Sequence, residues 1–382
     1  MARKGMFSVP GLRARGFVLL TALLAAVFLF SSCSPVSGSP SGYYVAPAAT
    51  SHMGAPAAPV QGELAVWFVD VGQADCALLS DGSASVLVDA GGNATAKDVV
   101  AFLREQGIER LDYAIGTHPH EDHVGGLDAV LDAVPVDTLI LPEKEGDTKS
   151  YEDVLDAARR NGVSIVRAKP ESVYRVGTYT MTLLGPVKLY DDMNNNSVVA
   201  RVDHGENVFL FTGDIEAAAE KDILSMGYDV ECTVLKAPHH GSETSSSYVF
   251  LRAAYPEMVV VSCGLDNSYG HPHDGPMSRY RDAGATVYRT DTLGSIRMTS
   301  DGRSITVDAQ GEASPVRRAP KDADGLSGGA SINVQEYIGN TNTKKFHMPN
   351  CSGLPSEKNR VVLESREEAV QRGYAPCGLC KP

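Results

Sequence analysis

Six residues constrain this chain more than any others. His118-Pro119-His120-Glu121-Asp122-His123 gathers three imidazoles and an aspartate into one short segment. LDYAIGT (111–117), which reads as a buried strand, runs directly into it, and GLDAVLDAV, which reads as a helix, follows. Imidazole and carboxylate are the ligands that hold zinc, manganese or iron. The one-residue gap between His118 and His120 sends both side chains to the same side of an extended segment. Asp122 and His123 are adjacent, so a turn can aim them at a second nearby point. The arrangement suits two metal ions a few Å apart that share and polarise a water. A solvated polar loop needs no such concentration of ligands.

Around this cluster the chain reads as α/β. LAVWFVDVG (64–72), CALLS (76–80) and SVLVDAGG (85–92) are short β-rich runs, and KDVVAFLREQGI (97–108) has helical spacing with a glycine near its end. The 382 residues are 43% hydrophobic and 21% charged, which excludes a long disordered polymer. One apolar run alone is long enough to meet a membrane, which excludes a polytopic membrane protein. Seven cysteines are too few for a disulfide-dense scaffold. The net charge of −13 argues against a protein that grips nucleic acid by charge alone.

The histidine run after a βαβ unit resembles the metallo-β-lactamase superfamily, which implies an αββα sandwich over residues 62–310. Further motifs match in order: Asp89 in VLVDAGG, Asp214 at the end of NVFLFTGD (207–214), and His239 and His240 in VLKAPHHGSETSSS (234–247). FVDVGQADCALL, NNNSVVAR, FTGD, LKAPHHGSETSSS and SYGHPH together resemble the extracellular hydrolase domain of ComEC-type DNA-uptake proteins.

The resemblance implies a ligand set. His118, His120 and Asp214 hold one ion; Asp122, His123, Asp214 and one of His239 and His240 hold the other, with Asp214 bridging. The ions are zinc or manganese. Sequence cannot divide the histidine pair; His239 is favoured as ligand and His240 as a second-layer or substrate contact. The implied mechanism is attack by a metal-bridged hydroxide that Asp122 orients. Ser242 and Thr244 are candidate hydrogen-bond donors to a phosphate, or hydroxyls that cap their own turn. His271 and His273 are placed at the mouth of the site, where a histidine could protonate a leaving oxygen or contact phosphate. His204, in RVDHGEN, reads as a turn residue. One departure stands out: many superfamily members carry a histidine just before the strand SVVARV, where this chain has Asp192-Met193-Asn194-Asn195-Asn196-Ser197. An amide oxygen is a weaker, harder ligand than imidazole, so the first ion is expected to be loosely held or to be manganese.

Arg3, Lys4, Arg13 and Arg15 precede the apolar run FVLLTALLAAVFLF (17–30), the pattern of a secretory signal. Phe30-Ser31-Ser32-Cys33 resembles a bacterial lipobox, which implies a lipidated Cys33, membrane anchorage and an extracytoplasmic site. Residues 1–33 are thus expected to be leader and anchor, and the Ser/Pro/Ala/Gly-rich residues 34–61 a flexible tether.

After a linker at 311–333 comes a short module, 334–382. His347, Cys351, Cys377 and Cys380 form a four-ligand set for one structural zinc. So short a segment has little core, and a metal supplies the missing stability. The spacing resembles the small metal-binding domain of the Ada DNA-repair protein. Ada's first ligand is the methyl-accepting cysteine and here it is His347, so methyl transfer is not carried over.

The leading expectation is an exported dinuclear hydrolase of phosphodiesters, acting on DNA or nucleotides, with no obligate protein partner. The alternatives are hydrolysis of C–N or ester bonds, and a non-catalytic surface DNA-binding lipoprotein.

Overall fold

A computed structural model of the chain describes residues 62–309 and, beyond them, 337–347, 351, 353–363, 369–370 and 372–378. Cys33, the leader, the tether and Cys380 lie outside the described residues.

Residues 62–309 form two sheets. The first contains β1 (Leu64–Phe68), β2 (Cys76–Ser80), β3 (Ser85–Ala90), β4 (Leu111–Ile115), β5 (Val136–Leu141) and β6 (Ser164–Arg167). The second contains β7 (Val173–Val176), β8 (Tyr179–Gly185), β9 (Val199–His204), β10 (Asn207–Phe211), β11 (Val234–Lys236), β12 (Met258–Val261) and β13 (Thr286–Arg289). The chain then returns to the first sheet as β14 (Ile296–Ser300) and β15 (Ile305–Asp308), giving the order β15-β14-β1-β2-β3-β4-β5-β6 beside β13-β12-β11-β10-β9-β8-β7.

Strand alternation explains the layering. In β2, Ala77 and Leu79 face the second sheet and pack with Met181, Val202, Phe209 and Phe211. Leu78, between them, faces the other way, against Val99, Leu103, Val130 and Val154. Those four belong to α1 (Ala96–Glu105), α3 (Leu127–Ala133), which follows the single turn α2 (Glu121–Val124), and α4 (Lys149–Asn161). The second sheet is covered likewise: Leu210, Leu235 and Val259 pack on Ile223, Phe250 and Tyr280. These come from α5 (Ala217–Ser225), α6 (Tyr248–Ala254) and α7 (Asp274–Asp282). The expected αββα sandwich is therefore what forms. Phe68 stacks on Phe211 across the inter-sheet core, with centroids 5.9 Å apart; truncating such a ring to alanine costs about 3–5 kcal/mol.

The ligand-bearing loops follow β4, β10, β11 and β12 at their carboxyl ends, the end at which α/β sheets present sites. Gly126 makes this possible for the first of them. A Cβ there would lie 2.2 Å from the Ala90 carbonyl oxygen, so only glycine lets the His118–His123 loop pass so close to β3.

Candidate metal centre

Asp214, two residues beyond the β10 loop's threonine, is the hub. Its Oδ1 lies 3.3 Å from His123 Nε2. Its Oδ2 lies 3.5 Å from His240 Nε2, 3.8 Å from His239 Nε2 and 3.9 Å from His118 Nε2. His120 Nδ1 sits 3.0 Å from His118 Nε2, and Asp122 Oδ2 3.3 Å from His240 Nε2. Asp122, His123, Asp214 and His240 each offer a ligand atom within 4.8 Å of the others.

The rings are aimed from behind. Asp89 Oδ1 accepts the Thr117 N–H at 2.8 Å, and Oδ2 faces His123 Nδ1 at 2.8 Å. His240 Nδ1 donates to the Ser262 carbonyl at 3.0 Å, with Asp75 Oδ1 3.2 Å away. With Nδ1 committed to donation, each ring turns Nε2 to the centre, protonated when no metal is present and free to ligate when one displaces that proton. These two Nε2 atoms and Asp214 Oδ1 are buried and have no hydrogen-bond partner. Buried polar atoms without a partner are costly unless an ion satisfies them, and two imidazoles beside Asp214 and Asp122 are a donor set that fits a divalent ion. The charges agree. Burial alone would raise Asp214, but His123 and His240 overcome it and hold the carboxyl well below the usual range. Burial would likewise lower His240, yet Asp214, Asp75 and Asp122 lift it to about 10. The acidic groups demand positive charge, and protons supply it when no metal does.

Sequence favoured His239 over His240 as the ligand. The geometry puts His240 inside the buried four-residue cluster, while His239 stands at its half-exposed rim with Nδ1 3.3 Å from Thr244 Oγ1. The physical reason is the backbone: both residues are left-handed, with φ of 51° and 52°, so consecutive side chains diverge in a way spacing cannot reveal. For Ser242 the geometry shows the second of the two readings, the turn-capping hydroxyl. It is buried, and its Oγ accepts from the Thr244 N–H at 3.4 Å and meets Thr244 Oγ1 at 3.1 Å. It caps its own turn and is not among the residues lining the cavity.

That cavity, of about 330 Å³, is lined by Gln73, His120, Glu121, Asp122, Asn194, Asp214, His239, His240, Tyr269 and His271. His271 thus lines the same cavity as Asp122, Asp214 and His240. Gln73 Oε1 accepts the Gly264 N–H at 3.1 Å, which turns its amide nitrogen toward His271 Nδ1 at 3.2 Å. Nδ1 is therefore the acceptor and Nε2 carries the proton. Burial first, then His240 and His239, lower His271 to about 4. Held neutral at neutral pH, it can donate a hydrogen bond through Nε2, as contact with a phosphate would require. His273 accepts the Glu243 N–H through Nδ1 and does not line the cavity. His204, read from sequence as a turn residue, instead closes β9 opposite Asn207, buried with Nδ1 2.8 Å from Ser300 Oγ and outside the cavity lining.

In the asparagine segment, Asn195 and Asn196 are engaged. Asn195 Oδ1 accepts the Glu216 and Ala219 N–H groups, and Asn196 bonds around the Tyr190 backbone. Asn194 alone lines the cavity, and its Oδ1 has no hydrogen-bond partner.

Sequence reading missed Asp75, Lys236 and Gln73. Lys236 Nζ pairs with Asp75 Oδ2 at 2.7 Å, both buried. A lone charge in each of the apolar runs VGQADCALL and TVLKAP was the available signal.

Residues 69–264 match the family model described as Metallo-beta-lactamase superfamily. The chain belongs to this superfamily. Among curated relatives of this metallo-beta-lactamase domain, the ComE operon protein 3 of Bacillus subtilis (strain 168) is 29% identical over 248 residues, 60% of this chain and 32% of the relative. The Competence protein ComA of Neisseria gonorrhoeae is 32% identical over 248 residues, 63% of this chain and 33% of the relative. The chain thus spans about a third of the length of these relatives. Among solved structures, the metallo-beta-lactamase fold protein YhfI from Bacillus subtilis aligns at TM-score 0.41 and 13% identity, over 60% of this chain and 96% of that one.

Beyond the metallo-beta-lactamase domain, β16 (Tyr337–Asn340), β17 (Lys345–His347), β18 (Arg360–Leu363) and β19 (Ala375–Pro376) form a small sheet in the order β18-β16-β17-β19. β17 and β19 are parallel, with Phe346 opposite Pro376, and this register brings His347 beside Cys377. His347, Cys351 and Cys377 are buried with ligand atoms within 4.8 Å of one another, and both His347 nitrogens lack a partner. Residues 330–382 match the family described as Metal binding domain of Ada.

Proposed function

We propose that this metal-dependent hydrolase is an exported, lipid-anchored phosphodiesterase of DNA or nucleotides. The observation that carries the hydrolytic reading is Asp214, one carboxylate within 4 Å of the Nε2 atoms of His118, His123, His239 and His240 at the wall of an open cavity. His118, His120 and Asp214 would hold one divalent ion, with Asn194 Oδ1 and His239 at its margin; Asp122, His123, His240 and Asp214 would hold the second. Such a pair supplies an activated water near neutral pH and offsets charge on a phosphoryl group. The chain's own residues do the rest. Asp89 and Asp75 fix the rings of His123 and His240. Gln73 fixes the His271 tautomer, so that an Nε2–H donor faces the cavity where a phosphate oxygen would lie.

The phosphodiester assignment draws on the motif likeness to ComEC-type hydrolases and on relatives named for competence. Export draws on the leader, tether and Cys33 pattern; among the described residues no helix is long and apolar enough to cross a membrane. The proposed organisation is leader 1–33, tether 34–61, hydrolase 62–310, linker 311–333 and metal module 334–382.

The test is full-length protein loaded with manganese or zinc and assayed on bis-p-nitrophenyl phosphate, single-stranded DNA and nitrocefin. Phosphodiester turnover that disappears in His120→Ala is expected. Nitrocefin turnover alone would overturn the assignment, as would tight DNA binding with no turnover.

A further inference from the structure

Tyr269 has no part in the ligand set, yet it shares the cavity with it. Its ring lies on His271, centroids 5.6 Å apart and planes within 22°, and His271 lies on His240 at 6.1 Å and 23°. Each ring thus lies roughly parallel to the next in a series from buried His240 through His271 to exposed Tyr269. Tyr269 is 67% exposed, so one face rests on His271 and the other is open; Leu265, on the same loop, is 71% exposed. An exposed aromatic on a loose loop would carry no inference, but this loop is braced. The Asn267 side chain donates to the Gly264 carbonyl at 2.8 Å and the His271 carbonyl at 2.6 Å, and accepts the His271 N–H at 3.0 Å. The Gly270 N–H donates to the Asn267 carbonyl at 3.1 Å. The platform is held before any ligand arrives.

We infer that the open face of Tyr269 stacks a nucleobase of the substrate next to the phosphate held at the metal centre. This deepens the phosphodiesterase reading and rests on it. A chain of net charge −13 has little general attraction for a polyanion, so binding must come from local contacts at the site. Stacking provides one that needs no positive charge. Every base has a π face, so little base preference is expected. A base inside a duplex is already stacked on both sides, so the platform selects an unstacked nucleotide.

The test compares two competitive inhibitors that differ only in the base, thymidine 5′-monophosphate and deoxyribose 5-phosphate. Each is titrated against bis-p-nitrophenyl phosphate turnover by the full-length metal-loaded protein. The thymidine compound is expected to bind roughly five- to hundredfold tighter, the range of base–aromatic stacking. Tyr269→Ala should collapse that ratio toward one while deoxyribose 5-phosphate binds as before, and Tyr269→Phe should preserve it. A ratio of one in the unaltered protein, or an unchanged ratio in Tyr269→Ala, overturns the inference and leaves the phosphodiesterase reading standing. Absence of any phosphodiester turnover removes that reading and the inference with it.

Discussion

Asp75 serves two buried cations at once: Oδ1 lies 3.2 Å from His240 Nδ1, and Oδ2 pairs with Lys236 Nζ at 2.7 Å. Burial would raise its carboxyl, but Lys236 and His240 overcome that and bring it to about 2. Asp75→Ala removes the partner of a buried lysine, and breaking such a pair costs about 3–5 kcal/mol. It also frees the His240 ring, and loss of an orienting carboxylate weakens metal affinity roughly 10- to 100-fold. Thermal melts of metal-free protein read the first effect and chelator competition the second. Unchanged zinc affinity in a folded Asp75→Ala protein would show that Ser262 alone aims the ring.

Asn194 is the asparagine whose oxygen remains unpartnered at the cavity. Asn194→His places imidazole where many superfamily members have it, and should raise retention of the more weakly held ion. Asn194→Ala should lower it. Metal content per chain after dialysis decides; equal content in all three proteins would remove Asn194 from the ligand shell.

The metal-free centre holds its own protons. His240 is raised to about 10 by Asp214, Asp75 and Asp122 against burial, and His123 is raised by Asp214 and Asp89. Raised groups stabilise the fold fully below the ordinary histidine value of 6.5, and that contribution is lost as pH climbs toward about 10. Metal must displace these protons. Zinc affinity should therefore rise from about pH 6 to about pH 9, with protons released on binding. Titrations in two buffers of different ionisation enthalpy measure the release; a flat profile would contradict the protonated resting state.

The parts of the site that are contiguous in sequence were legible there. His118 to His123 carry their own spacing, and Asp214 ends a strand pattern, so both could be placed before any fold was known. The division between His239 and His240 was not, because it depends on two left-handed backbone conformations in succession. Asp75 and Lys236 are 161 positions apart and meet through β2 and β11 in different sheets. Nothing local announces that pairing; only a charge stranded in each apolar run hints at it. The layering was legible as a resemblance, and the alternation of Ala77, Leu78 and Leu79 gives its physical basis.

The C-terminal module should depend on its metal independently of the hydrolase. Among the described residues its buried core comprises Tyr337, Phe346, Leu363, Ala369 and Tyr374. His347, Cys351 and Cys377 converge beside it, and Cys351 Sγ accepts the Gly353 N–H at 3.3 Å, as a ligating thiolate does. Cys377→Ser removes a ligand from a segment that little else holds together. The expected result is one fewer metal ion per chain and rapid proteolysis within residues 337–378. Phosphodiester turnover should stay within about twofold of the unaltered protein, because the module lends no residue to the cavity lining and shares with the hydrolase domain the Tyr337–Tyr248 hydroxyl contact, which lies outside that lining. Unchanged metal content with an unchanged cleavage pattern would mean that hydrophobic packing alone folds the module.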